Sequence, residues 1–171
     1  MRRGAARFVC VLALAFFALP ASGGPPLRVV ATTTDLAALV EAVGGNRVTV
    51  ESLAPALADP HALDVKPAQI ARLRTAVLLV RIGLDHEPWL AGALRAAGNG
   101  RITRGGEGDV DASRGVALLQ AETPRLRADV RPHSHGFGNP HYWLDPENGR
   151  AITATIGEAL ARASPFSGSS Q

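Results

Sequence analysis

Cysteine is almost absent from the 171-residue sequence: Cys10 is the only one, and it lies in an apolar run near the start. A disulfide framework and a thiolate metal site are therefore unavailable to the rest of the chain. Long hydrophobic runs are missing as well. The stretch FVCVLALAFFALP falls short of the roughly 20 apolar residues that span a bilayer, and no later segment is long enough either. Preceded by the basic MRRGAAR and followed by the small residues ASG, it reads as a secretory signal peptide over residues 1–23, cut after Gly23, with no membrane insertion once it is removed.

Charge of one sign is lacking too. Arg2, Arg3 and Arg7 fall in the leader and no acidic residue does, so 18 basic and 15 acidic side chains become 15 and 15 beyond it. A formal charge of zero leaves no basic footprint for nucleic acid or an anionic membrane surface. The sequence contains neither HExxH nor CxxC, and it shows no internal repeat.

What is present is a regular alternation of strand and helix patterns. LRVVATTT, from Leu27 to Thr34, is a β-branched run with the character of a buried strand. DLAALVEAVGG then places Leu36, Leu39, Val40 and Val43 at helical spacing, with Asp35 as the cap and Gly44-Gly45 as the stop. RVTVESLAP alternates as a second strand. The loop ALADPHALDVK leads to Pro67, suited to the first turn of a helix through PAQIARLRTA. AVLLVRIG is a third strand, apolar enough to be buried on both faces, and LDHEPWLAGALRAAG is a turn and a helix ended by Gly98. A fourth, short strand is expected between Asp109 and Leu119, and a last helix begins near Pro146 with Ile152, Ile156 and Leu160 on one face. This order predicts an α/β fold, a parallel sheet covered by helices. The domain boundaries expected are the leader at 1–23, one α/β unit at 24–163 and a disordered tail at 164–171.

Five histidines occur, each in a loop or turn that follows a strand. His61 follows the second strand, His86 the third, and His133, His135 and His141 the fourth. In an open parallel sheet those loops emerge at the carboxyl edge, where ligands bind. Imidazoles suit zinc, copper, iron and nickel, whereas carboxylates suit harder ions such as manganese. His61 and His141 each follow a proline, in DPH and NPH, which fixes the approach to the ring, and Asp59 or Asn139 can fold back as a turn cap. Asp64, Asp85 and Glu87 read as helix-start caps or solvated charges, Trp89 and Trp143 as core anchors, and Asp145 as the cap of the last helix.

VVATTTDLAALVEAVGG, DPH with the following KPAQIARLRTAVLLVRIGLDHEPWL, and NPHYWLDPEN together resemble the periplasmic metal-binding proteins of zinc and manganese ABC transporters, the ZnuA and TroA-like group. The resemblance extends over nearly all of the chain after the leader. It implies a fold of two α/β lobes joined by a long helix, with the metal in the cleft and two ligands from each lobe. Only the first lobe and the start of the linker helix match, so the expectation is a chain reduced to its amino-terminal lobe. Carried over residue by residue, the pattern makes His61 and His141 metal ligands. His133 and His135 resemble a short version of the histidine-rich loop that collects metal; they are further candidate ligands, as is His86, although it stands where the motif usually has a non-ligand residue. The resemblance further implies a non-enzymatic protein of the periplasm, with Zn(II) as transported ligand ahead of Mn(II) and a membrane permease as partner. The rival expectations are an inert or interaction-only remnant and, behind it, a zinc-dependent hydrolase using Asp64 or Glu87 as base.

Overall fold

A computed structural model describes residues 24–117 and 141–164. Four parallel strands form one sheet in the order β2-β1-β3-β4: β1 is Leu27–Ala31, β2 Val48–Ser52, β3 Leu78–Arg81 and β4 Asp109–Asp111. The register pairs Leu27 with Val48, Val29 with Leu78, and Val80 with Val110. Helix α1 (Thr34–Gly44) links β1 to β2, α2 (Pro67–Thr75) links β2 to β3, α3 (Leu90–Ala97) precedes β4, and α4 (Pro146–Ala163) ends the described chain. Among the described residues, no helix is long and apolar enough to cross a membrane.

Alternation along the strands builds two cores. Val29, Ala31, Leu78, Val80 and Val110 pack with Leu36 and Val40 of α1 and Ile152, Ile156 and Leu160 of α4. Val30 and Leu79 face the other way, onto Leu73 of α2 and Leu90, Ala93 and Leu94 of α3. The chain moves one way across the sheet from β1 to β2 and the opposite way from β2 to β3. Crossovers of a single hand then require α1 and α2 to lie on opposite faces, as they do. The direction reverses between β1 and β3, and the crevice at their carboxyl ends is where an open α/β sheet accepts a ligand.

Most predicted boundaries match, with two corrections. Strand β1 stops at Ala31; the Thr32 amide still donates to the Val80 carbonyl, and Thr33 turns away to begin α1. The cap of α1 is Thr33, whose Oγ1 accepts from the Leu36 amide, and not Asp35, which sits in the first turn. Strand β3 is buried throughout, as expected, its charged last residue Arg81 included. Gly45 and Gly98 close α1 and α3 with positive φ, Pro67 opens α2, and Asp145 caps α4 by accepting from the Glu147 amide.

Candidate metal centre

Three loops deliver three imidazoles to the carboxyl edge. His61 lies in the loop after β2, where the Asp59 carboxylate accepts from the His61 amide at 2.9 Å, the turn cap the sequence predicts. The indole N–H of Trp89 donates to the Pro60 carbonyl at 2.6 Å and ties this loop to the start of α3. His141 precedes a short 3-10 turn, Tyr142–Leu144, and that turn leads through Asp145 into α4. Tyr142 is buried, and its hydroxyl donates to the Ile82 carbonyl at 2.6 Å. Burial, reinforced by the nearby Asp111 and Glu87 carboxylates, raises the phenol's pKa far above its ordinary value, so the hydroxyl remains a donor. The side-chain amide of Asn148 donates a hydrogen bond to the Tyr142 carbonyl at 3.1 Å.

His86 comes from the loop after β3. Gly83, Leu84 and Asp85 have φ of 79°, 53° and 55°, three successive left-handed residues. Glycine adopts this conformation freely, whereas Leu84 and Asp85 hold it at about 1–2 kcal/mol each. The turn points the His86 ring inward, to 0% exposure.

Glu87 holds that turn in place, and here the sequence expectation of a cap or solvated charge is corrected. The residue is 7% exposed; its carboxylate accepts from Thr32 Oγ1 at 2.6 Å and from the Ile82 and Gly83 amides at 2.7 and 3.2 Å. Burial raises its pKa, opposed by those three hydrogen bonds and by the charge of Arg81. Asp85 is a solvated charge as expected, paired with Arg104 on the surface, and Asp64 pairs with Lys66.

Arg81 lies between β4's two carboxylates, 2.7 Å from Asp109 and 3.0 Å from Asp111. Burial alone would lower its pKa, but the Asp109 hydrogen bond and the charges of Asp111, Asp109 and Glu87 outweigh it, and the guanidinium stays charged. Asp111 in turn lies against the Gly83 backbone, where a Cβ would meet its Oδ1 at 2.2 Å. A charge network thus fixes the foot of the loop that carries His86.

The three imidazoles converge. Ring centres of His61 and His86 lie 3.9 Å apart, those of His86 and His141 5.6 Å, and those of His61 and His141 6.1 Å. One ligand atom from each falls within 4.8 Å of the others. Trp143 walls one side, its ring 5.0 Å from His86 and 5.3 Å from His141, and its indole N–H donates to Asp35 at 3.2 Å. It is half-buried and packs against the core beside α1, as an anchor should. His133 and His135 lie outside the described residues.

Zinc binds imidazole nitrogen at about 2.0–2.1 Å in tetrahedral geometry, which sets two coordinated rings about 5 Å apart centre to centre. The three observed separations straddle that value, so small rotations about the side-chain bonds would bring the nitrogens to bonding distance. Sequence reasoning named His61, His141 and His86, which the fold brings together, but gave no role to Trp143's wall, to Arg81 or to the Thr32–Glu87 bond. A charged residue inside an apolar strand pattern was the available signal for Arg81.

Residues 29–168 match the family described as zinc-uptake complex component A periplasmic, ZnuA. A Treponema pallidum protein named for metal binding is 36% identical over 142 residues, covering 81% of this chain and 43% of that one. The high-affinity zinc uptake system protein ZnuA of Paracoccus denitrificans is 32% identical, covering 92% and 54%. At lower identity, 27%, stands the manganese ABC transporter substrate-binding lipoprotein scaA of Streptococcus gordonii, covering 93% and 52%. Among solved structures, a zinc-bound ZnuA deletion mutant superposes with a TM-score of 0.63 at 28% identity, covering 80% of this chain and 46% of that one. The chain spans about half the length of the relatives it matches. With a four-stranded parallel α/β sheet shared with those structures and a family match running from β1 past α4, the chain belongs to the ZnuA family.

Proposed function

We propose that the chain captures Zn(II) in the periplasm through the neutral imidazoles of His61 and His141 and delivers it to the membrane permease of an ABC-type importer. The observation that carries this reading is the convergence of histidines from separate loops, with ligand atoms within 4.8 Å. Nitrogen donors favour zinc over manganese, which takes carboxylate and water oxygen more readily. The metal is cargo, bound and released without chemical change. His133 and His135, close before His141 in sequence, serve in this reading to collect metal for the site.

A hydrolytic role would need a general base beside the metal. The Glu87 carboxylate is engaged by three donors inside the fold, and Asp64 pairs with Lys66 on the surface, which supports binding without catalysis. Calorimetric titration of the chain with zinc tests the proposal. Saturable binding at one equivalent that disappears in the His61→Ala, His141→Ala double variant supports it, and equal affinity in that variant refutes it.

A further inference from the structure

His86 is the one imidazole of the cluster that the fold has gone to some trouble to place. The chain leaves β3 through three left-handed residues, two of them not glycine, and strain of this kind persists only where the surroundings over-determine it. They do so here. The Glu87 carboxylate clamps the Ile82 and Gly83 amides, the His86 amide donates to the Gly83 carbonyl at 2.9 Å, and Asp111 leaves no room for any side chain at Gly83. A core filler would need none of this, because an apolar side chain could occupy the same volume without bringing a ring nitrogen into a dry interior.

What the turn achieves is a position. The His86 ring stands 3.9 Å from that of His61 and 5.6 Å from that of His141, on the inner side of the cluster, with Trp143 against its edge. His61 is half-buried and His141 exposed, so the three rings are graded from interior to surface. A metal entering from solvent would meet His141 first and His86 last.

We infer that His86 is a third ligand to the same metal, so that His61, His86 and His141 form a three-imidazole site carried entirely by one α/β unit. This rests on the metal-binding reading of His61 and His141 and adds a donor from a third loop. Tetrahedral zinc with three protein nitrogens keeps one position open, to be taken by water or by a donor from outside the unit. A third neutral nitrogen also strengthens the preference for zinc over manganese.

The test uses the full chain, with zinc itself as probe. Affinity is measured by competition with a chromophoric chelator for the parent, for His86→Leu, for His86→Gln and for the His61→Ala, His141→Ala double variant, with circular dichroism as the check on folding. Zinc K-edge X-ray absorption of the loaded parent protein counts imidazoles per metal. Loss of an outer-shell partner typically weakens a metal site 10- to 100-fold, so loss of a direct ligand should weaken it about 100-fold or more. Folded His86 variants that bind about 100-fold more weakly, and a parent spectrum with three imidazoles, are the expected results. Parent-like affinity in folded His86 variants, with binding still lost in the double variant, overturns the third ligand and leaves the metal-binding reading standing. Absence of zinc binding by the parent overturns both. Should neither His86 variant fold, the parent spectrum decides alone, three imidazoles supporting the inference and two refuting it.

Discussion

The indole N–H of Trp89 and the carbonyl oxygen of Pro60 are hydrogen-bonded at 2.6 Å across 29 positions of the chain, so the residue before His61 is held by the residue before α3. Trp89→Phe keeps the ring and removes the donor. A neutral hydrogen bond contributes about 0.5–1.5 kcal/mol net, and its loss should lower zinc affinity a few-fold to about tenfold while the thermal midpoint falls only slightly. Titration and calorimetry on the same variant separate the two effects.

Replacing Glu87 should be more damaging. Glu87→Ala strands the Thr32 hydroxyl and the Ile82 and Gly83 amides in the interior, each at about 1–3 kcal/mol. Denaturant unfolding should show a loss of about 3 kcal/mol or more. Thr32→Val, which removes a single donor, should lose about 1–2 kcal/mol and thereby calibrate the larger figure.

Gly83→Ala places a methyl group where Asp111 Oδ1 already stands, at a φ of 79° that alanine disfavours. Asp111 cannot easily retreat, since it pairs with Arg81 and accepts from Ser113 Oγ at 2.6 Å. The expected loss is more than about 2 kcal/mol, read from urea midpoints.

For Arg81, substitution by methionine leaves the almost fully buried Asp109 carboxylate without its counter-ion. Breaking a buried pair from one side destabilises by about 3–5 kcal/mol. The double variant Arg81→Met, Asp109→Leu should recover much of that loss, which a double-mutant cycle in denaturant would reveal.

Acidification should release the metal. An imidazole must be neutral to bind, so protons compete with zinc and affinity falls as the pH drops. The sign is fixed: binding discharges protons, and raising the pH favours it. Trp143, 5.0 and 5.3 Å from two of the rings, offers the readout, with an emission change on zinc addition that Trp143→Phe abolishes.

Much of this arrangement is legible in the sequence. Apolar spacing and turn residues located β1, β2, β3 and the four α-helices, and the prolines in DPH and NPH marked two of the three clustered histidines. The rest depends on backbone geometry that composition does not encode. Leucine rarely adopts positive φ, so nothing in GLDHE announces that Leu84 does, or that the turn drives His86 inward and lays Glu87 over the amides of residues 82 and 83. Arg81 reads as a strand end until its partners across β4 are known, and a three-residue strand such as DVD gives too short a pattern to register.

That three-residue strand also has a bearing on how the molecule meets its neighbours. An open sheet presents a row of unpaired amides and carbonyls at each border, an invitation to strand addition by another chain. Among the described residues β4 is the border beside β3, it is short, and two of its three side chains are carboxylates drawn toward Arg81. The ion pairs that steady the loop carrying His86 thus also make this border a poor template for edge-to-edge aggregation.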